Sequence, residues 1–147
     1  MTVVGIVPAA GRGERLGGQV PKAFVVCAGR PLLDWSLEVL ERVCDRVVVA
    51  VPPGHEDGAD RVAGGPSRSE SVRNALASAP EAEIAVVHDA ARPFLTPELV
   101  RSCVEAVRAG SDGAIAAARV TDTIKEAGDD LRVTRTLDRS RLWAIQT

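Results

Sequence analysis

The 147 residues suit one compact domain of ordinary size. With 46% hydrophobic and 26% charged residues and a net charge of −2, the chain reads as globular and lacks the basic footprint of a general nucleic-acid binder. No stretch approaches the ~20 apolar residues of a membrane span, the opening MTVVGIVPAAG carries no basic leader, and Cys27, Cys44 and Cys103 are too widely spaced for a zinc site or disulfide framework, so a cytoplasmic enzyme or binding protein is expected.

Thr2 to Val7 is a β-branched apolar run closed by Pro8, the pattern of a strand buried on both faces. A Gly-rich, charged loop follows to about Val20. From Pro31 to Cys44 the residues Leu33, Leu37, Leu40 and Cys44 fall on one helical stripe, flanked by Leu32, Val39 and Val43. Arg46 to Val51 is a second buried-strand run, stopped by Pro52-Pro53-Gly54. After the break at Gly64-Gly65-Pro66, Ser67 and Glu70 have capping-box spacing, and Val72, Ala75, Leu76 and Ala79 continue a helix. Glu83 to Val87 is a third strand, leading into His88-Asp89. Thr96-Pro97 starts another helix, carried on by Leu99, Cys103 or Val104, and Val107 until Gly110. Gly113 to Val120 is expected to form a fourth strand.

Strands alternating with helices imply an α/β fold, a mainly parallel sheet with helices on both faces. Ligands of such sheets bind beyond the carboxyl ends of the strands. The last part of the chain differs. Thr121–Lys125 and Leu131–Leu137 flank Gly128-Asp129-Asp130 and read as a β-hairpin, with Leu131, Val133 and Leu137 on one side and Arg135 interrupting it. A lone hairpin is marginal in water, so this one is expected to pack on something, such as a second subunit.

Chemistry concentrates in the polar loops. In Pro8-Ala9-Ala10-Gly11-Arg12-Gly13-Glu14-Arg15 the glycines suggest backbone N–H groups approaching a phosphate. Leu16 stands where the dinucleotide fingerprint needs glycine, and the Gly-Lys-Ser/Thr of a P-loop is absent. Arg12, Arg15 and Lys22 cluster around the glycines, and clustered cations repel unless an anion, such as a triphosphate, lies among them. Of the 18 basic residues only Lys22 and Lys125 are lysines. That composition is a codon-bias pattern, but it draws attention to both, since Arg cannot always replace a compact ammonium.

Arg68 sits in a first helical turn, where the macrodipole disfavours positive charge. It either pairs with Glu70 in solvent or lines a nucleotide pocket with Ser71 and the glycine backbone. Asp89, at the end of a buried strand, either caps a turn or serves as a magnesium ligand, a role that needs one or two carboxylates plus phosphate oxygens. His88 has no nucleophile beside it in sequence and reads as a packed histidine. Asp122-Thr123-Ile124-Lys125 with Arg139 and Arg141 are either a charged exposed hairpin or an arm reaching a neighbouring active site.

The stretches PAAGRGERLGGQVPKAF, GGPSRSESV, VHDAARP, DTIK and LDRSRLWAIQT together closely resemble the 2-C-methyl-D-erythritol 4-phosphate cytidylyltransferases of the non-mevalonate isoprenoid pathway, in the family's order and over nearly the whole chain. The resemblance implies a Rossmann-like nucleotidyltransferase fold, a single domain over 1–147 with a protruding β-arm at about 119–147 through which a homodimer forms. It implies transfer of CMP from CTP to methylerythritol phosphate with magnesium or another divalent cation. By motif match Arg15 and Lys22 would stabilise the transition state, and Ala9, Ala10, Gly11, Gly65, Ser71, Asp89 and Ala90 would hold the nucleotide. Asp89 would serve the metal, while Arg92, Asp122, Thr123 and Arg139 would hold methylerythritol phosphate, Thr123 and Arg139 acting on the partner subunit's site.

Family members usually continue past Gln146-Thr147 with a portion that contributes another acidic residue and a lysine, so this chain is expected to be C-terminally incomplete. The neighbouring ribitol-phosphate cytidylyltransferases more often carry Gly at the place of Ala10. A DTIK arm is not expected in molybdopterin cytidylyltransferases. A nucleotide-binding or dimerising fragment without catalysis is the alternative of a different class.

Overall fold

The computed structural model describes residues 1–11 and 20–145. The chain divides into two compact units, Met1–Gly113 and Ala114–Thr147. In the first, β1 (Val3–Pro8), β4 (Arg46–Val51), β5 (Arg61–Ala63) and β6 (Ile84–Val87) form one parallel sheet in the order β5-β4-β1-β6. A small antiparallel ribbon, β2 (Val26–Cys27) with β3 (Arg30–Pro31), turns at Ala28 and Gly29, both with positive φ. Helices α1 (Leu32–Leu40), α2 (Arg68–Ala77) and α3 (Pro97–Arg108) complete the unit.

Strand alternation distributes the core to both faces of the sheet. Val3 and Val7 of β1 and Val49 and Val51 of β4 pack with Leu33 and Leu40 of α1 and Val100 and Val104 of α3. Val4, Ile6, Val48 and Ala50 point the other way, onto Ala75 of α2 and Ala79. The run of β-branched residues thus reads as buried because both of its faces are covered. Local signals set the helix ends. Ser67 and Glu70 make both halves of a capping box for α2. The Thr96 side chain accepts from Leu99 N–H ahead of Pro97, and Gly110 follows α3 with φ 105.

The topology decides where a ligand can go. The chain steps outward from β1 to β4 and β5, then crosses back to lay β6 on the other side of β1. The loops after β1 and β6 therefore straddle the point where strand order reverses, the usual crevice of open α/β sheets.

Two expectations need correcting. Gly113–Val120 does not supply the fourth parallel strand. Arg61–Ala63 takes that place at the edge, hydrogen-bonded to β4 alone. A three-residue edge strand needs little apolar sequence, whereas the alanine-rich 114–118 stretch has little β propensity to compete for the place. β7 (Ala117–Arg119) instead pairs antiparallel with β10 (Trp143–Ile145) inside the second unit.

The hairpin forms, but shifted: β8 (Lys125–Ala127) pairs with β9 (Val133–Thr136), with an irregularity after Glu126. Leu131 belongs to the turn, at φ 60, and not to the strand. Arg135 sits opposite Glu126 and donates to its Oε2 from Nε and Nη2 at 2.9 and 2.7 Å, so the residue that broke the apolar pattern makes a cross-strand ion pair. Between Ala114 and Ile145 no residue is buried within the chain.

Candidate active site

At the carboxyl ends of the parallel strands a cleft of about 1010 Å³ opens, lined by Pro8–Gly11, Lys22–Ala23, Pro53, Gly64–Arg68, Ser71 and Asp89–Arg92. Backbone hydrogen bonds extend the sheet into its walls: Ala9 N–H donates to Ala50 O at 2.7 Å and Gly64 N–H to Val51 O at 2.7 Å. Ala9 and Ala90 are buried in its floor. Lys22 opens a 3-10 turn (Lys22–Phe24) whose Ala23 is locked into the core, so an exposed ammonium stands on an anchored backbone.

The wall from Gly64 to Ser67 is sterically exacting. A Cβ on Gly64 would lie 2.2 Å from the Ala10 Cβ, and one on Gly65 would lie 2.3 Å from the Glu70 Cβ. Ser71 sits beneath this turn, buried, accepting from Gly65 N–H at 3.1 Å and donating to Ser67 O at 3.0 Å. Its hydroxyl orders the turn that faces the cleft. No individual role for Gly64 follows from the sequence beyond a chain break and a share in the glycine backbone beside Ser71; the doubled glycine is the available signal for its packing role.

Asp89 lies between two guanidinium groups. Arg68 donates to Asp89 Oδ1 from Nε at 2.9 Å, with Nη2 also 2.9 Å away, and Arg92 Nε lies 3.1 Å from Oδ2. The alternatives left open for Arg68 resolve here: it reaches across the cleft to Asp89, while Glu70 is engaged in the capping box. That pairing offsets the unfavourable position of a cation in the first turn of α2. His88 is half-buried, and its Nε2 lies 3.1 Å from Arg92 O. Burial pushes its pKa below the ordinary imidazole range, so the neutral ring donates to that carbonyl. It braces the Asp89–Arg92 turn, in keeping with a packed histidine.

Whether this site fits a magnesium ion depends on Asp89. Among the described residues no group of three or more His, Cys, Asp or Glu converges. Magnesium bound with a triphosphate needs only one or two carboxylates; Asp89 Oδ1 takes both Arg68 contacts, while Oδ2 faces Arg92 Nε at 3.1 Å. One carboxylate in a cleft with cations around it is thus compatible with a metal that arrives with its nucleotide.

The expected site residues divide. Ala9, Ala10, Gly11, Lys22, Gly65, Ser71, Asp89, Ala90 and Arg92 line the one cleft. Arg12 and Arg15 lie outside the described residues. Asp122, Thr123 and Arg139 belong to the second unit, where Arg139 Nη1 donates to Thr121 O at 2.7 Å and so joins the segment before Asp122-Thr123 to the 3-10 turn at Arg139–Arg141.

A parallel α/β sheet with its cleft at the strand-order reversal defines a Rossmann-like α/β fold. A model of the family described as 2-C-methyl-D-erythritol 4-phosphate cytidylyltransferase matches residues 3–147. The chain is 44% identical to the enzyme of that name from Frankia casuarinae, over 99% of this chain and 59% of the relative, and 43% identical to that of Saccharopolyspora erythraea, over 100% and 73%. It superposes on the crystal structure of 4-diphosphocytidyl-2C-methyl-D-erythritol synthase from Anaerococcus prevotii with a TM-score of 0.83 at 28% identity, covering 99% of this chain and 68% of that one. The chain belongs to the 2-C-methyl-D-erythritol 4-phosphate cytidylyltransferase family.

Proposed function

We propose that the protein transfers CMP from CTP to 2-C-methyl-D-erythritol 4-phosphate in isoprenoid biosynthesis. The observation that carries this reading is the coincidence of a family match over residues 3–147 with a single cleft that gathers Lys22, Gly65, Ser71 and Asp89. In the reaction a phosphate oxygen of methylerythritol phosphate attacks the α-phosphorus of CTP. The new P–O bond forms as the bond to the bridging oxygen breaks, and pyrophosphate leaves with that electron pair. Catalysis of this kind is mostly positioning and charge stabilisation.

Each group then has a role. The turn at Gly64-Gly65 and the backbone at Ala9–Gly11 shape the nucleotide's seat. Lys22, fixed by its buried neighbour, places positive charge where the α-phosphate develops negative charge, and Arg15 does the same by family motif. A magnesium ion, when bound, neutralises phosphate charge, and Asp89 is the residue that would hold it. Arg92, Asp122, Thr123 and Arg139 receive methylerythritol phosphate, the last two on a partner subunit. Residues 114–145, none of them buried within one chain, support such a homodimer. The protein works in the cytoplasm.

The test is pyrophosphate release with CTP, magnesium and methylerythritol phosphate. Replacing Lys22→Ala should reduce the rate by at least about a hundredfold, the scale of losing one transition-state charge contact. Activity that survives this change sinks the catalytic assignment.

A further inference from the structure

Resting on the reading of this cleft as a CTP site, we propose that Arg68 is a positioning residue whose guanidinium stands in for the divalent cation at Asp89 until the metal and nucleotide arrive.

A triphosphate approaching the cleft meets Asp89, a carboxylate of its own sign, in the wall it must pass. Left bare, that carboxylate would repel it. Arg68 and Arg92 hold opposite oxygens of Asp89, at 2.9 and 3.1 Å, and cancel the repulsion. The two arginines are not equivalent. Arg92 lies three residues from Asp89, in the same turn, with its N–H bonded to Asp89 O at 3.1 Å. Arg68 reaches over from the first turn of α2, where its positive charge is disfavoured. Of the two, Arg68 is the one whose contact can be exchanged without rebuilding the turn.

Exposure makes that exchange inexpensive. The Arg68 side chain is 48% exposed and that of Asp89 24%, so the pair is neither deeply desolvated nor strongly held. A divalent cation brought in with the nucleotide can take over Asp89 Oδ1, and Arg68, already 48% exposed, is released to solvent. This predicts a specific coupling: Arg68 matters for nucleotide binding when metal is absent and much less when it is present.

Calorimetric titration of the chain with CTP, in EDTA and again in excess magnesium, reads this coupling without turnover. For Arg68→Ala we expect about a fivefold weaker Kd in EDTA, the effect of uncovering one partly exposed charge, shrinking to within about twofold of wild type in magnesium. Arg68→Ala combined with Asp89→Asn should regain the metal-free affinity, because the charge left uncovered is gone. Arg68→Gln, which keeps the length and planar head but not the charge, should repeat the alanine result if alanine perturbs folding.

Equal losses with and without magnesium, unrelieved by Asp89→Asn, would show Arg68 binding the nucleotide directly and overturn the inference. So would no loss in either condition. A wild-type chain that binds CTP in neither condition would instead remove the nucleotide reading of the cleft, and this inference with it.

Discussion

Gly64 and Gly11 make a controlled pair. Both lie in the cleft wall, yet a Cβ on Gly64 would overlap Ala10 at 2.2 Å, while one on Gly11 would meet nothing within 4 Å among the described residues. Gly64→Ala should therefore lower stability by about 1–3 kcal/mol through overpacking and weaken CTP binding with it. Gly11→Ala should leave the thermal midpoint nearly unchanged. Differential scanning calorimetry of the two variants separates these outcomes. Cys44 offers a second test. Burial, with a smaller contribution from Asp45, pushes its thiol up from 9.0 to about 11. The folded state keeps this proton where the unfolded state loses it, so the associated stability is intact below pH 9 and lost as the pH rises toward 11. That part of the alkaline destabilisation should vanish in Cys44→Ala. In the native protein a thiol reagent should modify exposed Cys27 well before Cys44.

Among the secondary-structure elements, α2 matters most to the site because its first turn carries both the capping box and Arg68. Ser67→Ala removes the cap and should cost about 1 kcal/mol, read as a lower melting temperature. It should also loosen the turn that Ser71 holds. This helix was legible in the sequence because Ser67, Glu70 and the small apolar residues after them state its start and its face. β1 and β4 were legible for a related reason: unbroken β-branched runs ended by proline. β5 carried no such signal, since three residues pairing with one neighbour need no pattern. The Arg68–Asp89 pair was also invisible, because the two stand 21 residues apart and only the return of β6 beside β1 brings them together. The hairpin was foreseen but misplaced, as Leu131 looked like a strand residue and became part of the turn.

On the scale of the whole molecule, the cleft-lining residues lie in Met1–Gly113, while Thr123 and Arg139 lie in Ala114–Thr147. If the second group serves a partner's site, mixing Arg139→Ala and Lys22→Ala subunits should restore some activity, because one site of each mixed dimer keeps both residues. Pyrophosphate release from the mixture, compared with either variant alone, checks this; no restoration would count against action in trans.

The strand order also constrains how the protein is made. β1 leaves the ribosome first, yet its second neighbour, β6, pairs Val3 with Ile84. Until some eighty further residues have been synthesised, β1 presents one apolar, unpaired edge to the cell. Pairing over such a separation is slow, and open edges invite association with other chains. The arrangement that creates the crevice thus carries a kinetic hazard during translation. A chain released before Ile84 should aggregate, and chaperones that shield nascent chains should engage this protein mainly in that interval.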